Sequence, residues 1–450
     1  MKSDGIYVAV MGICLFLMIA CKKEISRDDL RIEQMHVDYS KEIGLSARLR
    51  IGISTVSDLM IRYYAEGRPQ EVRELQSSAK REHIFGLLDL KENTRYRMDV
   101  SAVSQDGQRI VLKENELILM TEKIPDEVRG FYKQDESKFG SNLPGYFMFA
   151  NMSSPSCTYI LNNEGDIVWF RRSPNTVKCV RFTQRNTILT VEDEDHTPFG
   201  DGNILLETTL AGDTVFFHRK GRVGFDKSIH HDAILNHRGH YVAVTNELKG
   251  GYPGDGLVEW DAKGNKVWEW STFDARGEYD ADMREQPWIN SVFQDKDSHY
   301  IVSLRALHQV WKINSTTGAV MWKLGGRGNV NMDNAGYFMF QHYAHMTTDG
   351  KLLLFDNGGE VRKHSRIISF QLDELQMNAS IQHSIRLPQA YYSAIMGSVQ
   401  QIQGNHFLVA SSVKGVGLLL DESGKIYNEI VLKDRVYRME YLEEPFRFSH

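Results

Sequence analysis

Along most of this chain apolar residues come in short alternating runs bounded by glycine, asparagine and aspartate, the pattern of β-strands and turns. Four segments read alike: HDAILNHRGHYVAVTN (231–246), NSVFQDKDSHYIVSLR (290–305), HYAHMTTDGKLLLFDN (342–357) and GSVQQIQGNHFLVASS (397–412). Each predicts a strand, a polar turn and a second apolar strand. Their first residues are His231, Asn290, His342 and Gly397, and their last are Asn246, Arg305, Asn357 and Ser412. A repeat that served packing alone would carry apolar residues at those ends. Polar residues in register predict a site.

A second marker, a turn ending in glycine followed by an apolar or aromatic strand, recurs as NEGDIVWF, LAGDTVFF, AKGNKVWEW, TTGAVMWKL and ESGKIYNEI. Its glycines are Gly165, Gly212, Gly264, Gly318 and Gly424. The first three steps are about 47 to 54 residues and the last is about double. One unit, near QLDELQMNASI (371–381), has therefore lost its glycine. Units of this length with about four short strands predict propeller blades, six of them over residues 144–450. The first blade has only three strands of its own, so VYRMEYL (436–442) is expected to complete it and close the ring. An open ring would leave unpaired strand edges.

Upstream, SARLRIGIS and DLMIRYYAE alternate as strands, and Leu90 to Val100 resembles the end of a fibronectin-type sandwich. Residues 21–125 thus predict a small β-sandwich of fibronectin or immunoglobulin type, and the polar stretch 126–143 a linker. The expected fold class is all-β: a six-bladed β-propeller preceded by a small N-terminal β-sandwich.

Residues symmetric about a hairpin turn face each other, with Cβ atoms roughly 4.5–5.5 Å apart. The frame therefore predicts the pairs His231 with Asn246, Asn290 with Arg305, and His342 with Asn357. Innermost blade strands converge on the central channel, so His231, Asn290, Arg305 and His342 are expected at one mouth of it. Alternation turns His230 and His345 the opposite way from His231 and His342, and His345 is expected to pack. Two histidines, an arginine and an asparagine without a nearby carboxylate suit an anionic group. The guanidinium gives planar donors, the amide a neutral donor, and a neutral imidazole attacks or shuttles protons. That chemistry is sulfuryl or phosphoryl transfer, and the lack of a glycine-rich phosphate loop disfavours a nucleotide donor. No His-x-x-x-His or cysteine cluster appears, so no metal is expected. A net charge of −6 without a long basic run argues against a nucleic-acid partner.

The apolar run from Ile6 to Ala20, after Lys2, has the dimensions of a signal peptide. Ala20 before Cys21 resembles a bacterial lipobox, which implies removal of residues 1–20, acylation of Cys21, and an exported protein of the periplasm or cell envelope. A lipid anchor would then be the chain's membrane contact. Cys157 and Cys179 are the other mature cysteines. They are expected either to pair in an oxidising compartment or to remain two buried thiols.

The ordered motifs HHD (230–232), INSV leading to SLR (289–305), FQH leading to LFDNG (340–358) and Tyr437-Arg438 resemble the bacterial aryl-sulfate sulfotransferases, which use no nucleotide sulfate donor. The resemblance covers nearly the whole mature chain. It implies a ping-pong reaction without metal or cofactor, in which a sulfuryl group passes from a phenolic sulfate to a histidine and then to a phenol. His342 matches the nucleophile, Arg305 and Asn290 the residues that hold the sulfuryl oxygens, and His231 the histidine that serves leaving group and acceptor. Trp288 departs from the pattern, standing where the family has a second histidine. An indole donates one hydrogen bond but shuttles no proton. The departure points to another aromatic acceptor, another substrate or a degenerate enzyme. It favours, as the second reading, a non-catalytic propeller lipoprotein that binds a sulfated or aromatic ligand or a partner protein. A quinone-dependent dehydrogenase propeller would carry vicinal cysteines, and none occur.

Overall fold

The computed structural model describes residues 30–103, 109–197, 201–276 and 286–446, so the expected leader and Cys21 lie outside the described residues. Six antiparallel sheets of four main strands follow one another along the chain as the blades of a propeller. Their inner strands, in order around the axis, are Val436–Leu442, Thr176–Phe182, Ile229–Leu235, Ile289–Gln294, His342–Met346 and Ser398–Ile402. The four look-alike hairpins are the inner and second strands of blades 3 to 6. Blade 1 takes its inner strand from the far end of the chain, with Met439 opposite Phe149 on Tyr146–Asn151. The ring therefore closes as the sequence predicts, and the inner edge that blade 1 would otherwise leave open is paired.

An apolar cluster lies between each pair of neighbouring blades; Val244, Leu257, Val292, Val302 and Trp311, for example, join blades 3 and 4. The glycine-turn marker explains part of this packing. Trp169 in the outer strand of blade 1 donates to Leu210 O at 2.9 Å, beside the Gly212 turn of blade 2. Trp270 of blade 3 donates to Gly318 O of blade 4 at 2.9 Å. The turn thus receives the aromatic residue of the previous blade. In blade 5, where the glycine is missing, Met377 takes the left-handed conformation, with φ 51°.

The lead domain is one continuous five-stranded sheet, because the 19-residue strand Ala47–Ala65 changes partner along its length. Ile32–Asp38 pairs with its first part and Arg95–Val103 with its second, and the register with Arg73–Leu87 breaks between Gly52 and Ser57. The inward residues Leu49, Ile61, Phe85, Met98 and Val100 join one cluster with Phe147 and Tyr159 of blade 1. Tyr96 Oη accepts the Lys91 amide at 2.7 Å, the corner bond typical of such sandwiches. Ile43–Gly44 pairs with the outer edge of blade 1, and a Cβ on Gly44 would lie 2.0 Å from the Phe170 ring. The stretch predicted as a linker packs instead: Val128, Phe131 and Tyr132 are buried, and Asn428 Oδ1 of blade 6 accepts the amides of Gly140 and Ser141.

At the axis, Asp232 of blade 3 is fully buried. It accepts from Arg181 of blade 2 at 2.6 Å, from Arg438 of blade 1 at 2.8 Å and from the Val292 amide of blade 4 at 3.0 Å. Arg181 also donates to Tyr343 Oη of blade 5 at 3.0 Å, and the Arg438 guanidinium lies 4.2 Å from that ring. The two guanidiniums outweigh burial and hold the Asp232 carboxyl far below the usual carboxylate range. Asp232→Asn leaves buried Arg438 without its paired carboxylate and Arg181 with the longer contact to Glu440 at 3.4 Å. It is expected to cost about 3–5 kcal/mol in urea unfolding at neutral pH, and a loss below about 1 kcal/mol would show that the arginines do not depend on this carboxylate.

Candidate active site

The inner strands of blades 3, 4 and 5 each break register near their start, between Ile229 and Ala233, Ile289 and Ser291, and His342 and His345. His231 (φ 60°), Trp288 (φ 56°) and Tyr343 (φ 56°) adopt left-handed backbone at or beside these bulges. Non-glycine residues do so at a cost, and bulges beside sites re-aim side chains. None of the three predicted cross-strand pairs holds. Arg305 N donates to Trp288 O, so Arg305 opposes Trp288 and not Asn290. Asn246 N donates to Ser228 O, so Asn246 does not oppose His231. In the third pair His342 lies opposite Phe355, yet the Asn357 side chain still reaches its ring.

His342 is buried, and its Nδ1 lies 2.8 Å from Asn357 Oδ1 and 3.0 Å from Phe340 O. Both oxygens accept, so Nδ1 carries the hydrogen and Nε2 the lone pair. That lone pair takes the Met396 amide at 3.2 Å. Asn357 is fixed in turn, its Nδ2 donating to Ser393 O and Met396 O at 2.7 Å each. Burial, with the Arg305 charge adding to it, lowers the His342 pKa to about 3. At neutral pH the ring is an uncharged imidazole with a defined tautomer.

Arg305 lies with its guanidinium carbon 4.8 Å from the Phe340 ring centroid. It is half-buried with no carboxylate against it among the described residues, and burial lowers its pKa. A cation held this way has donors to offer an anion. Asn290 is buried; its Nδ2 donates to Gln341 O at 2.7 Å, beside His342, while its Oδ1 has no partner. Tyr437 of blade 1 donates to Asn290 O at 2.7 Å. His231 meets Trp288 and Tyr437 edge to face, with centroids 5.9 and 5.7 Å away. Burial, His230, His342 and Arg305 push its pKa well below the ordinary histidine range. Trp288 is 38% exposed, at the rim.

The structure thus gathers His231, Trp288, Asn290, Arg305, His342 and Asn357 at one mouth. It corrects one other reading and settles the open choice for the cysteines. His230 is fully buried, with its Nδ1 2.7 Å from His231 Nδ1. Carboxylates are near after all, with Asp232 beneath the site and Asp255 behind His230. Cys157 and Cys179 are unpaired buried thiols in different clusters, and burial raises both to about 12. His345 packs against Phe293 and Tyr343 as expected. Sequence reasoning missed Phe340, Met396 and Tyr437 as site residues. Phe340 lies inside the FQH motif and Tyr437 inside the closing strand, but Met396 carries no signal. Among the described residues no group of three or more His, Cys, Asp or Glu is placed to hold a metal ion.

A propeller whose channel mouth presents a neutral, oriented imidazole beside an arginine that meets no carboxylate among the described residues is a scaffold for handling a small anion. The arylsulfotransferase (ASST) family model matches residues 114–442, and the chain belongs to that family. No curated protein matches it. Among solved structures, a Bacteroides caccae protein of unknown function is 13% identical with TM-score 0.43, covering 67% of this chain and 100% of its own. A streptogramin B lyase is 10% identical with TM-score 0.41, over 68% and 96%. A Staphylococcus aureus virginiamycin B lyase is 10% identical with TM-score 0.38, over 77% and 94%.

His342 and His345, lowered to about 3 and about 4, are held neutral by burial while the unfolded chain binds their protons near the ordinary value of roughly 6.5. Depressed folded values mean stability that is complete above that pH and lost as pH falls toward 4. The unfolding midpoint is therefore expected to drop from pH 6.5 to pH 4, less steeply in His345→Gln. Equal slopes in the two proteins would refute the assignment.

Proposed function

We propose that this protein moves a sulfuryl group from a phenolic sulfate ester to a phenol through a sulfohistidine at His342. The observation that carries the reading is the neutral His342, tautomer fixed by Asn357, beside the Arg305 guanidinium that no carboxylate among the described residues claims. The sulfate oxygens sit against Arg305 and the second hydrogen of Asn290 Nδ2, donors that gain as charge develops in transfer. His342 Nε2 attacks sulfur, the N–S bond forms and the S–O bond to the aryl group breaks. Its lone pair must first leave the Met396 amide. The aryl oxide takes a proton from His231 Nε2. In the second half a phenol returns a proton to His231, its oxygen attacks sulfur, and His342 is released neutral. The anionic donor offsets part of the Arg305 charge that disfavours a protonated His231. Trp288 at the rim offers an aromatic wall to either ring.

Mature protein given a chromogenic aryl sulfate and a phenol is expected to release the chromophore. His342→Ala should lower the rate more than about 10,000-fold, and Arg305→Ala by about 100- to 1,000-fold. Acid-labile label from a radioactive donor should appear on His342. A chain that takes no label from several donors yet still binds them is the ligand-binding propeller that Trp288 favours. Export and acylation at Cys21 belong to the same proposal: labelled fatty acid should follow the wild-type chain into the membrane fraction and be absent from Cys21→Ser.

A further inference from the structure

In the reaction above, His231 must hold a proton in one half and lack it in the other, although its neighbours oppose the charged form. What lies behind it bears on that problem. His230 Nδ1 is 2.7 Å from His231 Nδ1, with the rings nearly perpendicular at 86°. On its other side His230 Nε2 is 3.2 Å from Asp255 Oδ1, close enough for the charge to act although the pair is not aligned as a hydrogen bond. His230 and Asp255 are fully buried. Asp255 is itself held, accepting the Ile289 amide at 2.7 Å and Gln286 Nε2 at 2.6 Å. Gln286 also donates to Asn246 Oδ1, and Asn246 Nδ2 donates to Asp201 Oδ1. The backbone of Asp201 pairs with His230. The polar end of the blade 3 frame therefore serves this second layer.

We propose that Asp255 and His230 act as positioning residues which fix the tautomer of His231 and share its charge when it is protonated. The inference rests on the sulfuryl-transfer reading. Two facing Nδ1 atoms at hydrogen-bond distance share one hydrogen. A carboxylate beside His230 Nε2 keeps the His230 proton there, which makes His230 Nδ1 the acceptor and His231 Nδ1 the donor. His231 Nε2 is then the lone pair that faces the site. When it takes the acceptor's proton, the phenolic O–H bond breaks and a new N–H bond forms. The positive charge lies along His231, His230 and the Asp255 carboxylate. The reverse transfer supplies the leaving aryl oxide. The other groups around His231 are His342, Arg305, Asp232, Trp288 and Tyr437. Of these the one carboxylate, Asp232, is already claimed by Arg181 and Arg438. Neither His230 nor Asp255 touches the reacting atoms.

Donors of different leaving ability separate this role from packing. 4-Nitrophenyl sulfate expels a stable phenolate, whereas phenyl sulfate needs the proton. In single-turnover sulfohistidine formation, His230→Gln and Asp255→Asn are expected to lose on the order of 100-fold with phenyl sulfate and under about threefold with 4-nitrophenyl sulfate. Retained reaction with the nitrophenyl donor certifies the fold and the nucleophile in the same sample. Equal losses with both donors, or none with either, overturn the relay. If the wild type forms no sulfohistidine from either donor, the transfer reading fails instead. The relay is then judged by proton NMR of the resting protein. A downfield N–H resonance shared by His230 and His231, lost in Asp255→Asn, supports it, and absence from the wild type overturns it.

Discussion

Asp232 sits where inner strands crowd together on the propeller axis, a fully buried carboxylate between the guanidiniums of Arg181 and Arg438. Burying such charges is expensive unless geometry is good and the remaining valences are filled. Here both carboxylate oxygens are used, and Tyr343 stacks under Arg438 and accepts from Arg181. The network joins side chains or amides of blades 1 to 5, so the blades are tied at the axis by charge as well as by the apolar clusters between them.

The position of Asp232 explains its neighbours. An ordinary strand would send His230 and Asp232 one way and His231 the other. The bulge that gives His231 its left-handed backbone breaks this alternation. Asp232 drops to the axis, His231 faces the mouth, and His230 runs back toward Asp255. Three consecutive residues thereby serve the axis, the site and the layer behind it. The same irregularity in blades 4 and 5 brings Trp288, Asn290 and His342 around the same mouth from separate sheets. Strain at such positions is tolerated because the surrounding network holds them, and that is where function concentrates.

Much of the fold was readable because its determinants are local. Alternation, the glycine turns and a unit length near fifty residues gave six blades, and the spare strand at the far end gave the closure. Even the missing glycine had its place, taken by Met377. The polar ends of the frame marked His231, Asn290, Arg305, His342 and Asn357 as a set. What counting along the chain misjudged was register. The pairing across the turn is one residue off the predicted register, and the bulge adds another without any compositional sign, so Arg305 faces Trp288. The order within the stretch 126–143 was hidden for a related reason: its polar composition says nothing of the outer strand of blade 6 that receives it.

By itself, then, the sequence determined the strands, their grouping into blades, the ring closure and the identities of the residues at the mouth, since each depends on patterning over a few tens of residues. Tertiary structure alone decided which nitrogen of His342 bears the hydrogen, that Arg305 lies against the Phe340 ring, that the two cysteines stay apart, and that Asp255 and His230 stand behind His231. Those are facts of distance and burial between residues remote in the chain, or of a backbone kink one residue long. Protonation and hydrogen-bond direction follow from such surroundings, and no local pattern encodes them.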